Sequence, residues 1–179
     1  IYIWIVNSDD YIEPQALKEL AQLIESFPED NLPIIASSMR FINLKQNTST
    51  IYISNEKAPQ KGYKSLDMGI IHPATLVPKS IYKQIGNYDD RFSIMADIDW
   101  FIRACKTHQP IYSSTIVSTN MCYGGISTTS QFKKLYKERT MLYKKHTRNL
   151  IEEKLYLSKW CIRHFKNTLY TKIKSLKHK

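Results

Sequence analysis

Short apolar runs alternate with segments of helical periodicity along most of this chain. The first run, residues 1–6, stops at the polar sequence Asn7-Ser8-Asp9-Asp10. A buried strand has this pattern when it delivers acidic side chains to its carboxyl end. Pro14 then begins a helical pattern that Pro28 ends. Further strands are predicted at 34–42, at 51–53 and at 110–117.

The second half of the chain continues the alternation. Residues 69–78 form an apolar run that Pro73 interrupts just after His72, which predicts a strand with a kink or an edge position. A short helix follows and Gly86 closes it. Residues 97–105 again have helical spacing, and the pattern from 131 onwards is helical. Residues 43–61 are polar and predict a loop. Strands alternating with helices favour a layered α/β fold.

Length and composition fit one soluble globular domain with an appendage, at 179 residues and 42% hydrophobic. The cysteines Cys105, Cys122 and Cys161 are widely spaced, and the sequence contains no CxxC pair. It therefore predicts neither a zinc site nor a disulfide framework, but free thiols in a reducing cytoplasm. No apolar run approaches the length of a transmembrane helix.

The net charge of +10 comes from one part of the chain. Residues 1–130 hold 11 Lys and Arg against 13 acids, whereas residues 131–179 hold 15 against 3. The basic segment is amphipathic, and its apolar series is Ile151, Leu155, Ile162, Phe165, Leu169, Ile173 and Leu176. Such a helix is typical of one that lies on an anionic leaflet, or of one that packs on the body or a partner. Nucleic-acid binding is not expected, because residues 1–130 contain no basic patch.

Two acidic clusters are candidates for chemistry. Asp9 and Asp10 at a strand end suit a divalent cation, which takes carboxylate, phosphate and water oxygens, although they equally suit a strand end that leads into a helix. Asp97 and Asp99 open a helix. Asp97 is a candidate general base, and the alternative is a helix cap, which fits Asp99 better. Asp99 and Arg103 also form an i,i+4 pair.

Two further features are weaker candidates. His72 precedes a proline in an apolar strand and is either a core residue or a substrate-facing one. The segment Tyr123-Gly124-Gly125-Ile126-Ser127 suits close approach of backbone to a phosphate, a lid hinge or an ordinary linker.

In this order the pieces resemble the inverting, nucleotide-sugar-dependent glycosyltransferases of family 2, which have the GT-A fold. The resemblance covers residues 1–130 and rests on an acidic strand end, a His-containing strand, a Gly-aromatic-Asp turn, an acidic pair that opens a helix, and a Gly-Gly-x-Ser segment. In this sequence they are Asn7-Ser8-Asp9-Asp10, His72-Pro73-Ala74-Thr75-Leu76-Val77, Gly86-Asn87-Tyr88-Asp89, Asp97-Ile98-Asp99-Trp100-Phe101-Ile102-Arg103 and Gly124-Gly125-Ile126-Ser127.

The resemblance implies an α/β fold, part of a GT-A domain (a Rossmann-like α/β/α sandwich) over 1–130, with a basic helical tail over 131–179. It also implies roles for individual residues. Asp97 would be the general base, and Asp9 would bind the Mn²⁺ or Mg²⁺ that bridges the donor diphosphate. Asn7, Asp10 and His72 would contact the donor, and Asp99 and Trp100 the acceptor.

The chain departs from the family pattern in three places. Asn7 stands where many members have an acid, and Ala96 replaces a Glu before the base, which leaves Asp99 as a second candidate base. The nucleotide-binding half of the family, on the order of 80–100 residues, is expected before the acidic motif and is not in this sequence.

The expected function is transfer of a sugar from a nucleotide-diphosphate sugar to a hydroxyl of a glycan or lipid-linked acceptor, in cell-surface polysaccharide synthesis. The expected location is cytoplasmic and peripheral to the inner face of the cell membrane. One alternative is a truncated, inactive α/β module that binds a membrane or another protein. Another is a metal-dependent phosphate-ester enzyme that uses the same carboxylates.

Overall fold

A computed structural model describes residues 1–44, 47–58, 66–122, 132–147 and 149–176, with side chains as far as Lys166 in the last of these ranges. The described part is a mixed α/β structure, as the sequence predicts. It contains a six-stranded sheet and five α-helices.

Within the sheet, the strand order is β1-β5-β3-β6-β2, and β4 pairs with β3 outside this path. β3 and β6 are parallel, and β5 lies antiparallel between β1 and β3. β1, β3 and β6 therefore run in the same direction, and their carboxyl ends meet at one edge. The strands are β1 (Tyr2–Trp4), β2 (Tyr11–Ile12), β3 (Ile35–Asn43), β4 (Thr48–Tyr52), β5 (Thr75–Pro78) and β6 (Ile111–Cys122).

Several strands differ from the sequence prediction. The first run was predicted as a buried strand, but β1 is half-buried and lies at one end of the strand order, and β2 was not predicted. β6 continues to Cys122 rather than ending near 117, and its register against β3 shifts on both sides of Ser38. Such irregularities bend a strand and increase its twist. β4 overlaps the short strand predicted at 51–53 but begins at Thr48, inside the segment 43–61 that was otherwise expected to be a loop, and it pairs with the second half of β3. All five of its residues are exposed, so its sequence lacks the alternation of apolar and polar residues that one buried face would require.

The helices are α1 (Pro14–Glu25), α2 (Lys79–Ile85), α3 (Ala96–Ala104), α4 (Phe132–His146) and α5 (Leu150–Leu176). α1 begins at Pro14 as predicted and buries Ala16 and Leu20 against Ile35 of β3. α2 ends at Gly86, whose φ of +81° favours glycine. None of the described helices is both long and apolar enough to cross a bilayer.

The main core lies among β5, α2, α3 and α4. Trp100 of α3 is fully buried there, and Leu142 and Tyr143 of α4 pack in the same cluster. Burial of one such apolar side chain contributes about 2 kcal/mol. The first helix of the basic segment is therefore part of the core that also holds α3.

A 3₁₀ turn, His72–Ala74, leads directly into β5. The carbonyl of Pro73 accepts hydrogen bonds from Trp4 Nε1 at 2.8 Å and from Thr119 Oγ1 at 2.7 Å. These bonds tie the turn to β1 and β6, its neighbours at the carboxyl-end edge of the sheet. His72 is therefore positioned by three strands, and Pro73 explains the predicted kink.

Candidate functional site

A cavity of about 700 Å³ lies between residues 66–72, α3 and the two C-terminal helices. Its walls combine titratable, cationic and aromatic side chains, among them His72, Asp97, Phe101, Arg139, Tyr156 and Trp160. A concave site of this size with a few convergent polar groups is the usual form of a small-ligand pocket. The cavity is therefore the candidate functional site.

His72 lies in the cavity wall between two aromatic side chains. Its ring meets those of Tyr88 and Phe101 edge-on at 6.2 and 6.0 Å, and its Nε2 is 3.3 Å from the Tyr88 hydroxyl. Burial lowers the pKa of His72, and the negative charge of Asp97 partly opposes that shift. The imidazole is therefore held in one orientation and is biased towards its neutral form.

Asp97 lies in the first turn of α3 and faces the same cavity. Burial raises the pKa of Asp97, against the attraction of His72 and a 2.8 Å hydrogen bond that the Ile98 N–H donates to Oδ1. A carboxylate with a raised pKa is a better proton acceptor near neutral pH. The structure thus brings Asp97 and His72 together in the wall of one cavity.

The wall opposite the pair comes from the basic segment. The Arg139 guanidinium lies 5.0 Å from the centre of the Trp160 ring and donates to the Tyr156 hydroxyl. Arg139 Nε is buried and has no hydrogen-bond partner among the described residues. Lys159 and Arg163 line the same wall. This wall offers positive charge and flat aromatic surface to a ligand.

The acidic loop after β1 lies at the same sheet edge but does not line this cavity among the residues described. Asp10 accepts a hydrogen bond from Asn7 Nδ2 at 2.9 Å on one carboxylate oxygen and from the Cys122 N–H at 3.3 Å on the other. Asp9 is exposed. Among the described residues no group of three or more His, Cys, Asp and Glu side chains could hold a metal ion. Asp9 alone fits a cation that takes most of its ligands from phosphate and water.

Asp99 and Trp100, the expected acceptor contacts, lie in the core instead of the cavity, and neither has solvent-exposed surface. Trp100 Nε1 donates to the Gly86 carbonyl at 2.8 Å. Asp99 accepts from Arg103 Nε at 3.0 Å, His146 Nε2 at 2.8 Å and Lys145 Nζ at 2.7 Å. Burial alone would raise the pKa of Asp99, but these bonds lower it to about 2. Asp99 is therefore a structural ion-pair centre and a poor base.

α4 also positions the start of α3. Glu138 is buried and accepts hydrogen bonds from Ser93 Oγ at 2.7 Å and from the N–H groups of Ile94 and Met95 at 2.8 and 3.0 Å. A carboxylate at a helix N-terminus satisfies free N–H groups and interacts well with the helix dipole. Glu138 thus caps the helix that carries Asp97, a role that the sequence pattern did not indicate.

The structure divides the predicted catalytic, metal and donor residues into two groups. Asp97 and His72 share the cavity, whereas Asn7, Asp9 and Asp10 lie in a separate exposed loop. Gly124-Gly125-Ile126-Ser127 lies outside the described residues. The cavity residues Arg139 and Trp160 were missed as site residues, and the only sequence signal for them is an aromatic residue within a basic helix.

No protein-family model matches the chain, and a search of curated proteins finds no match either.

Proposed function

We propose that the chain contains the catalytic and acceptor-side part of an inverting sugar transferase that uses nucleotide-diphosphate sugars, related to family 2 and to the GT-A fold. The observation that carries the proposal is that Asp97 and His72 line one cavity, with the Asp97 carboxylate in the first turn of α3. Inverting transfer needs a single base on the face of the sugar opposite the leaving diphosphate. A carboxylate with a raised pKa, set in a cavity that also has cationic walls, supports that assignment.

In the proposed reaction, Asp97 accepts the proton of an acceptor hydroxyl while the hydroxyl oxygen bonds to the anomeric carbon. The bond between that carbon and the diphosphate oxygen breaks, and the nucleoside diphosphate leaves with the electron pair. His72 lies with Asp97 in the cavity wall and lines the pocket for the sugar. Tyr88, packed on His72, keeps the imidazole in place.

Asp9 is the residue that would hold Mg²⁺ or Mn²⁺, since its carboxylate is exposed while both oxygens of Asp10 are hydrogen-bonded within the protein. Such an ion, when bound, stabilises the negative charge that builds on the leaving diphosphate. Asn7 and Asp10 then shape the loop rather than supply ligands.

The cavity wall favours an acceptor with both a sugar ring and negative charge. Trp160 and Tyr156 line the cavity, and since one face of each ring stacks on α4, a sugar ring can pack only against the ring surface that remains. Arg139, Lys159 and Arg163 suit phosphate or carboxylate groups. The carboxylates of Asp67 and Glu152 in the same lining suit hydroxyl groups instead. A glycan or lipid-linked acceptor that carries phosphate combines these features.

We place the reaction in the cytoplasm, because Cys105, Cys122 and Cys161 are free thiols.

The test is release of nucleoside diphosphate from a panel of sugar nucleotides by full-length protein with Mn²⁺. Asp97→Asn should lower the rate about 10²- to 10⁴-fold, because the base is lost. Asp90→Asn is the matched control, since Asp90 is exposed and lies outside the cavity. Its rate should not change.

The products also separate the competing functions. Release of a nucleoside monophosphate with a sugar phosphate would indicate a phosphate-ester enzyme instead. The exposed apolar residues of α5 favour the second candidate, an inactive module that binds a surface. It would release nothing from any sugar nucleotide, with or without the Asp97 carboxylate.

A further inference from the structure

The solvent-facing side of α5 carries an apolar row. Ile151 is 74% exposed, Leu155 55%, Ile162 57% and Phe165 61%. At 3.6 residues per turn these positions fall within one narrow stripe of the helix. We call these four residues the outer stripe. Leu169, Ile173 and Leu176 continue the series in the sequence, and their side chains lie outside the described part.

The other side of α5 packs on α4, and Phe165 at the edge of the outer stripe also reaches Phe132 of α4, with ring centroids 5.3 Å apart. Leu157 is buried, the Trp160 ring stacks on Phe132 with centroids 5.4 Å apart, and Tyr156 stacks on Tyr143 at 5.0 Å. These contacts fix the rotation of α5 about its axis. The helix therefore cannot turn the outer stripe inward without breaking its packing on α4.

Positive charge borders the outer stripe. Lys154, Lys159, Arg163 and Lys166 are exposed on the same helix, and the segment 131–179 carries 15 Lys and Arg against 3 acids. An apolar stripe between cations complements an anionic phospholipid surface, which offers both acyl chains and phosphate groups. The phosphate backbone of a nucleic acid would match the cations but leave the stripe in water.

The stripe also adjoins the candidate active site. Leu155 belongs to the stripe and lines the cavity, and Lys159 and Arg163 line the cavity as well. A surface that covers the stripe would therefore meet the cavity wall.

We infer that the outer stripe of α5 docks the protein in the plane of an anionic membrane surface, with its apolar side chains in the headgroup boundary and the neighbouring lysines on lipid phosphates. This inference goes beyond the proposed transferase activity and does not depend on it. The fixed orientation of α5, the exposed stripe and its cationic border carry it.

The test is co-sedimentation of the full chain with vesicles of phosphatidylcholine alone and with vesicles that also contain phosphatidylglycerol. Binding is expected only to the anionic vesicles and should weaken as salt rises. Ile162→Ser should weaken binding about tenfold, because an apolar group no longer leaves water. Lys166→Gln should weaken it about fivefold, because one charge near the surface is lost.

Ile53→Ser is the matched control. Ile53 is 63% exposed, close to the 57% of Ile162, but it follows β4 and is far from α5 in sequence. This variant should bind like the parent chain. Thermal melts of all variants check folding, and since each substituted side chain is exposed, the melting temperatures should stay close together.

Three outcomes would overturn the inference. The first is that the chain fails to sediment with anionic vesicles even at low salt. The second is that Ile162→Ser binds as well as Ile53→Ser does, which would leave charge as the sole attraction. In the third, a DNA duplex displaces the chain from vesicles and binds both isoleucine variants equally, which would indicate a nucleic-acid surface.

Discussion

Nε2 of His146 lies 2.8 Å from Oδ1 of Asp99, and this contact joins the end of α4 to the first turn of α3. Lys145 reaches the same carboxylate at 2.7 Å. Asp99 has no exposed surface, so its charge depends on these partners for stabilisation. The basic segment that follows residue 130 thus holds in place the helix that carries Asp97.

Replacing Asp99 by Asn should therefore destabilise the fold strongly. The change removes the buried anion, although Lys145 keeps its 2.8 Å contact with Asp89 and Arg103 its bonds to backbone carbonyls, so the cost is at the lower end for a broken buried pair, about 3 kcal/mol. Urea denaturation followed by circular dichroism measures the loss. Asp90→Asn, an exposed control, should change the free energy of unfolding by less than about 0.5 kcal/mol. Equal stabilities of the two variants would contradict the assignment.

The same carboxylate predicts a dependence of stability on acid. The pKa of Asp99 is lowered from 3.8 to about 2 in the folded protein. Its stabilising effect is then full above about pH 4 and is lost as pH falls towards 2, because the unfolded chain binds the proton first. The difference in unfolding free energy between the parent and Asp99→Asn should shrink by about 2 kcal/mol over that interval. If the difference in unfolding free energy stays constant from about pH 5 to about pH 2, Asp99 does not titrate with a lowered pKa in the folded protein.

The sequence predicts most elements of this fold because their periodicity follows burial. α1 begins at Pro14, α2 ends before Gly86, and the kink at Pro73 is the 3₁₀ turn before β5. β4 was predicted only in part, at 51–53, because every one of its residues is exposed, so hydrogen bonding to β3 and not apolar alternation defines its extent.

The site is less readable from the sequence, because its contacts join distant parts of the chain. Asp97 and His72 were both candidates, and only the fold shows that they face one cavity. Asp99 was assigned to the acceptor, although its pairing with Arg103 was also indicated and is present at 3.0 Å. Glu138 looks like an ordinary helix residue, since the N–H groups that it caps lie more than 40 positions earlier.

Glu138→Gln should loosen the start of α3. The amide keeps one acceptor oxygen but loses the charge that faces the helix N-terminus, at a cost of about 1 kcal/mol. The rate of nucleoside diphosphate release should fall as well, because Asp97 follows directly on the capped turn. Glu25→Gln on the exposed end of α1 is the control and should alter neither quantity. If Glu138→Gln lowers stability but leaves the rate unchanged, Glu138 stabilises the fold without positioning Asp97 for the reaction.

His72→Phe should change the pH profile of the reaction rather than only its rate. Where His72 is protonated, its charge lowers the pKa of Asp97 against the effect of burial, so removing the imidazole should raise the pKa of Asp97 further in that pH range. The base must be deprotonated, and the rising acid limb of kcat/KM should therefore move to higher pH. Tyr82→Phe is the control, because Tyr82 contacts Tyr88 but carries no charge that acts on Asp97. An acid limb that does not move would show that His72 and Asp97 titrate independently.

Asp9→Ala should change the Mn²⁺ requirement of the reaction, whereas Asp10→Ala should change the stability of the fold. Asp9 is exposed, so its removal should leave the melting temperature unchanged and raise the Mn²⁺ concentration needed for half-maximal rate about tenfold, by analogy with the loss of one charged ligand. Asp10 accepts from Asn7 and from the Cys122 N–H, so its removal should cost about 1 kcal/mol of stability. Titration of the rate with Mn²⁺, together with thermal melts of both variants, distinguishes the two roles. If Asp10→Ala alone shifts the Mn²⁺ requirement, the cation is held by the buried end of the loop, and Asp9 is only a solvated surface residue.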